Sequence, residues 1–220
     1  MNKEEKKIVI DRYSNRLKEH GATPKALGWD KGRHFLRYHV LLSMWELSKE
    51  TKLLDFGCGF GDLYEYLIQN DIELIYEGVD INEDLIKAGK EIHPNANLKC
   101  LDFLNLQNAD VYDFIISSGV HNLKLEQNWE FIEKTFEQFY KCSKKGFSIN
   151  FISNQIDPEF SKEHLYYSDP SKILNLAYKY SNRVILRNDY MPFEFTLFIF
   201  KEDVFDKNKV VYPSFIDYCE

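Results

Sequence analysis

Residues 53–62 read LLDFGCGFGD: glycines at 57, 59 and 61 follow a short apolar run, with Asp55 before the turn and Asp62 after it. A glycine-rich turn between a strand and a helix lets a ligand approach the backbone closely, and its usual guest is a phosphate at the helix N-terminus. Two carboxylates are poor company for an anion. A dinucleotide fingerprint GxGxxG/A counted from Gly57 requires glycine or alanine at position 62, where this chain has aspartate. A carboxylate in the first helical turn satisfies the helix dipole and would repel a pyrophosphate. The ligand end nearest Gly57, Cys58 and Gly59 is therefore expected to be cationic.

More acids follow the next apolar runs. Asp80 closes YEGVD, about twenty residues after the glycines, where a carboxylate accepts hydrogen bonds from both hydroxyls of a ribose. Asp102 and Phe103 follow LKC, an acid able to accept from an adenine amino group beside an apolar cover for the ring. Any one of these acids alone reads equally well as a cap or a solvated loop residue. Their shared placement at strand ends points to one ligand laid across the lip of an α/β sheet.

The elements that must hold them follow from periodicity. Apolar runs at 52–56, 74–80, 98–100, 112–117 and 146–153 alternate with helical stretches, which predicts a parallel sheet covered by helices. A helix over 61–70 places Leu63, Leu67 and Ile68 on one face, and Asn82 is the expected N-cap of the next, ahead of Glu83 and Asp84. Trp129, Ile132, Phe136 and Phe139 form a core-facing helical stripe, and a helix before the first strand sets Phe35, Tyr38, Leu42 and Trp45 at helical intervals. A helix entered through Pro170 precedes two β-type runs, 183–190 and 194–200, joined by a turn with Met191 and Pro192: an antiparallel finish on one sheet edge.

The totals narrow the classes. The 220 residues, 44% apolar, suit one domain with a full core, and no run approaches the roughly 20 apolar residues of a membrane span. The N-terminal residues lack a signal-peptide pattern, and Cys58, Cys100, Cys142 and Cys219 form no CxxC pair, so neither disulfides nor a metal site is indicated and a cytoplasmic location is expected. A net charge of −7 disfavours nucleic acid as a partner.

LLDFGCGFGD, YEGVDIN, LDF and YDFIISSG resemble motifs I to IV of the class I S-adenosylmethionine-dependent methyltransferases over roughly residues 50–123. The resemblance accounts for the acids, because the methionine part of that cofactor carries an ammonium and a sulfonium and no phosphate. It implies an α/β, Rossmann-like, seven-stranded, mostly parallel sheet in the order 3-2-1-4-5-7-6 with helices on both faces. It also implies binding of S-adenosyl-L-methionine, with S-adenosyl-L-homocysteine as product. Asp55, Gly57, Cys58 and Gly59 would frame the methionine portion, Asp80 the ribose, Ile81 and Phe103 the adenine faces and Asp102 the adenine amino group, with Ser118 at the end of the fourth strand. Nearly the whole chain, including the segments around Gly28 and Trp29, SGVHNLK and NDYMPFEFTLFIFK, is similar to a group of small bacterial methyltransferases. In related enzymes an arginine on the helix before motif I pairs with the cofactor carboxylate; Arg37 is its counterpart, and Trp29 would close over the same site. The implied division is one methyltransferase domain, with an N-terminal helical cap (1–50), a cofactor-binding core (51–153) and a substrate-covering segment with C-terminal hairpin (154–220).

Methyl transfer from a sulfonium needs alignment and exclusion of water more than it needs a base. Where the acceptor loses a proton, His121, just beyond the fourth strand, is the histidine placed for it. Asn122 and Asn150 are alternative polar groups for the acceptor, and His164, Tyr166, Tyr167, Tyr190 and Glu194 stand in segments that would cover it. The expected function is transfer of a methyl group to an oxygen or nitrogen of a small-molecule acceptor. The alternatives are an NAD-dependent oxidoreductase, against which Asp62 argues, and a non-catalytic nucleoside-binding module.

Overall fold

The computed structural model describes residues 1–29, 32–107 and 112–219. One sheet holds β1 (Lys52–Phe56), β2 (Ile75–Asp80), β3 (Leu98–Cys100), β4 (Tyr112–Ser117), β5 (Ser143–Ile152), β6 (Val184–Arg187) and β7 (Glu194–Phe200). Their order is β3-β2-β1-β4-β5-β7-β6, as the resemblance implied. Neighbours among β1 to β5 pair in parallel, while β7 runs antiparallel to β5 and β6. Because β7 is reversed, its first residue Glu194 pairs with Ile152 at the end of β5. Glu194 thereby reaches the same lip of the sheet as the ends of β1, β2 and β4.

Strands buried on both faces need apolar residues at successive positions. Leu54, Ile115, Leu197 and Ile199 pack with α5 (Asn128–Cys142) and α6 (Pro170–Ala177) on one side. Leu53, Phe114, Ile116 and Phe198 pack with α2 (His34–Leu42) and α3 (Asp62–Gln69) on the other, where α4 (Glu83–Ile92) adds Ile86. A longer helix, α1 (Lys3–His20), lies on α4.

Four local expectations change, the first being that the run expected over 183–190 is a strand only over Val184–Arg187. The helix before β1 stops at Leu42, where the Ser43 hydroxyl donates to the Val40 carbonyl (2.7 Å); Trp45 then turns its ring to 4.4 Å from Phe114 and its indole N–H to Ser148 Oγ (3.3 Å). Ile68 is 59% exposed, since the buried stripe of the short α3 holds Leu63 and Leu67. β5 starts at Ser143 and not at Gly146, the register with β4 shifting between Tyr112 and Phe114.

Asn82 couples α1 to the core. It caps α4, its Oδ1 accepting from Asp84 N (2.9 Å) and Leu85 N (3.2 Å), while its Nδ2 donates to the Ile10 carbonyl (3.1 Å) and Ser14 Oγ (3.2 Å). Asn82→Ala removes the cap and these buried partners together and is expected to cost about 2–3 kcal/mol. The urea midpoint at unchanged m value reads the loss; a change below about 0.5 kcal/mol would show that α1 and α4 are held by other contacts.

Candidate active site

The glycine turn after β1 is built by backbone. Gly57 N and Cys58 N both donate to the Val79 carbonyl on β2 (2.8 and 3.1 Å), which folds the turn over the strand ends. Gly57 sits at φ +75°, and a Cβ there would come within 2.2 Å of Val120 Cγ2, so only glycine lets the chain pass. Asp80 ties the turn down, its Oδ2 accepting from Gly59 N (3.1 Å) and its Oδ1 from Asn82 N (2.8 Å).

Above this turn lies a cleft of about 940 Å³, counted to its solvent-open mouth. Eight of the residues singled out from the sequence line it: Trp29, Asp55, Gly57, Cys58, Gly59, Asp80, Ile81 and Ser118. Asp55 is buried, accepts from the Tyr76 hydroxyl (2.9 Å), and has its pKa raised to about 7, by burial first and then by Asp80 and Asp62. Burial also raises the Asp80 pKa, against the pull of its backbone hydrogen bonds. The Cys58 thiol is pushed far up by burial and stays protonated. Ser118 lines the cleft, and its Oγ is buried without a partner. Neither lysine nor arginine is among the described residues lining the cleft.

Four other residues stand back from it. Asp102 is engaged by Lys6 of α1 and by Asn105 Nδ2 (2.6 Å). Phe103 is fully buried among Phe56, Tyr112 and Phe139, and Leu101, two positions earlier, lines the cleft in its place. Arg37 is bound by Glu194. His121 lies in a box of aromatics, its ring stacked on Phe151 (5.5 Å between centroids) and 4.6 Å from Phe131, with both ring nitrogens unpartnered.

That box decides what His121 can do. Burial, with a smaller push from the chain's amino terminus, lowers its pKa to about 3, so an imidazolium there is strongly disfavoured and the ring is a weak proton acceptor. His121→Leu is expected to fold with wild-type affinity for S-adenosylhomocysteine, because replacing an unpaired buried polar group by an apolar one is close to neutral. Turnover lowered roughly 10²–10⁴-fold at unchanged affinity would instead mark it as the base. Asn150 and Asn122 serve the backbone, Asn150 Oδ1 accepting from Gly119 N (2.7 Å) and Asn122 Oδ1 from Ile152 N (3.3 Å).

Asp62 also turns away. Its carboxylate is buried, with Oδ2 unpartnered and its pKa raised to about 6 by burial, and it faces Glu65 and His93 rather than the cleft. The negative side of the cleft thus belongs to Asp55 and Asp80. Residues 154–170 fold onto the loop after β4, with Lys124 N donating to the His164 carbonyl (2.9 Å) and Tyr166 N to the Asn122 carbonyl (3.0 Å). His164, Tyr166 and Tyr167 do not line the cleft; a second cavity of about 760 Å³ at the hairpin is lined by Ser153, Gln155, Tyr190, Phe193 and Glu194 among others.

Besides Leu101, two of the missed contributors come from α1. Val9 and Tyr13, one turn apart, line the cleft, and burial raises the Tyr13 pKa. Their i, i+4 spacing was the available signal. The helix is pinned there by Lys6 on Asp102, Ser14 Oγ on Asp84 (2.6 Å) and Glu5 accepting from Gln127 N (2.8 Å).

Residues 53–146 match the profile of the methyltransferase domain family. A Mycobacterium tuberculosis protein named as a methyltransferase, Rv1506c, is 30% identical over 155 residues, covering 67% of this chain and 91% of that protein. A protein of Invertebrate iridescent virus 6 named as methyltransferase 235L is 30% identical over 85 residues, 38% of this chain and 31% of its own length. Among solved structures, the magnesium protoporphyrin IX methyltransferase of Synechocystis PCC 6803, with bound S-adenosylhomocysteine, superposes with a TM-score of 0.64 at 15% identity, over 89% of this chain and 99% of that one. At that identity the superposition establishes the fold. The matched domain spans the glycine turn and the ends of β1, β2 and β4, and the chain belongs to the class I S-adenosylmethionine-dependent methyltransferases.

Proposed function

We propose that residues 1–220 act as one methyltransferase domain that transfers a methyl group to an oxygen or nitrogen of a small-molecule acceptor. The observation that carries the placement of S-adenosylmethionine is the lining of the cleft: two carboxylates, an unpartnered serine hydroxyl and no basic side chain among its described residues. Such a wall suits an ammonium and a sulfonium and brings no lysine or arginine to the pyrophosphate of a dinucleotide. Asp55 and the backbone of Gly57 to Gly59 receive the methionine end, Asp80 the ribose hydroxyls, and Ile81 and Leu101 the adenine faces, with Ser118 along the nucleoside. Asp102 has its Oδ2 engaged by Lys6 and Asn105, which leaves Oδ1 as the oxygen to accept from the adenine amino group.

The bound cofactor supplies the electrophilic methyl. The chain's own work is to hold the reactants in line and to exclude water. α1 and Trp29 cover the strand ends for that purpose. With His121 held neutral in its aromatic box, an acceptor that reacts as the free amine or as an already acidic hydroxyl fits this site best. Among the described residues no helix is long and apolar enough to cross a membrane, and the four cysteines are free, in keeping with a small-molecule enzyme of a reducing cytoplasm.

Calorimetry with S-adenosylhomocysteine and with NAD tests the placement. Micromolar binding of the first and none of the second is expected; the reverse would make the cleft a dinucleotide site. Incubating a metabolite extract with methyl-labelled cofactor and reading labelled products by mass spectrometry then identifies the acceptor class. Label found only in macromolecules would overturn the small-molecule reading.

A further inference from the structure

Trp29 lines the cleft from a segment that no strand supplies, and Arg37 backs it from outside the cleft. The indole rests on Gly119, just past the end of β4: a Cβ built at Gly119 would come within 2.5 Å of Trp29 Cη2, so the ring occupies room that only glycine leaves. Arg37 covers the ring, its guanidinium carbon 4.5 Å from the ring centroid. Arg37 is itself held fork to fork, Nε donating to Glu194 Oε2 (2.7 Å) and a terminal nitrogen to Oε1, with about a tenth of each side chain exposed.

The backbone around Glu194 is shaped for this contact. Phe193 sits at φ +65°, where a bulky side chain is rarely found, and its carbonyl accepts from Ser153 N at 2.7 Å. Glu194 lines the hairpin cavity and Trp29 lines the cofactor cleft. The chain of contacts from Glu194 through Arg37 and Trp29 to Gly119 therefore stands between the two. A buried ion pair adds little net stability over apolar neighbours of similar volume, but it fixes orientation, and a planar guanidinium is suited to stacking on an indole while it pairs edge-on with a carboxylate.

We propose that Glu194 is a positioning residue, which holds Arg37 so that Trp29 is clamped over Gly119 and the cofactor cleft is closed off from the hairpin cavity. The proposal rests on the functional reading only in naming the cleft as the cofactor's. In this state the Arg37 guanidinium is spent on Glu194, so the carboxylate that the family likeness assigns to Arg37 competes with Glu194 for it.

The chain has three tryptophans, 29, 45 and 129, so labelling with 5-fluorotryptophan yields three fluorine resonances, that of Trp29 assigned by its loss in Trp29→Phe. In ligand-free Glu194→Gln the Trp29 resonance is expected to move toward the solvent-exposed position while those of Trp45 and Trp129 stay. Dissociation of S-adenosylhomocysteine should quicken tenfold or more, and Glu194→Asp should recover part of both effects. Arg37→Lys, which keeps the charge and loses the fork, should move the same resonance and replaces Glu194→Gln if that variant does not fold. A Trp29 resonance unmoved in the folded variant, or all three resonances moving together, would overturn the clamp. The fluorine measurement decides this whether or not the wild type binds S-adenosylhomocysteine, which tests the functional reading separately.

Discussion

Asp80→Ala is expected to weaken binding of S-adenosylhomocysteine by roughly 100-fold, the equivalent of about 3 kcal/mol. Hydrogen bonds to a charged group contribute about 1.5–3 kcal/mol each, and on the proposed placement the substitution removes the acceptor of two ribose hydroxyls at once. It also releases Gly59 N and Asn82 N, the two backbone donors by which Asp80 fixes the glycine turn. Asp80→Asn separates the contributions: it keeps an acceptor oxygen but sets an amide N–H₂ against one of those backbone donors, so affinity should fall between wild type and Asp80→Ala. Calorimetry, with a thermal melt to show that each variant is folded, checks both. An Asp80→Ala affinity within about threefold of wild type would take the ribose away from this residue.

The sheet was legible because its signals are local. The runs at 52–56, 98–100, 112–117 and 194–200 became strands at those residues, and Asn82 became the cap it promised to be. The glycine turn was legible too, since backbone that must pass within contact of Val120 admits no other residue at Gly57. What was not legible depends on partners far along the chain. Arg37 is claimed by Glu194, 157 residues away, and Asp102 by Lys6, 96 residues away. Nothing in the neighbourhood of either residue announces the partner. His121 does stand at the end of β4, as expected, but its environment is supplied by Phe131 on α5 and Phe151 on β5. Whether a histidine faces a ligand or a core is settled by that packing and not by its distance from a strand end. Phe103 shows the same effect within two residues: the 3₁₀ turn at Phe103–Asn105 rotates it into the core and leaves Leu101 on the cleft.

Asp55 carries the other large expected effect, a pH dependence of cofactor binding. Its pKa in the ligand-free protein is about 7 against an ordinary 3.8, because burial and the nearby Asp80 and Asp62 disfavour the charge more than the Tyr76 hydroxyl bond favours it. In the folded chain without ligand, this shift favours the native state fully below the ordinary carboxyl value, and the benefit is lost as pH rises toward 7. Binding has the opposite sense. A cationic methionine end beside Asp55 needs the carboxylate, so each complex formed below pH 7 must first expel a proton. With a bound-state pKa of about 4 or below, affinity should drop roughly 50-fold between pH 7 and pH 5, approaching tenfold per unit at the acid end. Calorimetry in buffers of different ionisation enthalpy should record close to one proton released per cofactor at pH 5.5. Asp55→Asn, isosteric and uncharged, should bind more weakly at pH 7 and lose both the slope and the proton release. Asp80, whose pKa burial also raises, lines the same cleft, so a slope that survives in Asp55→Asn would transfer the titration to Asp80. A flat profile in the wild type would mean that the cationic end of the ligand lies elsewhere, and the pairing of acid with ammonium from which the site was first read would fall with it.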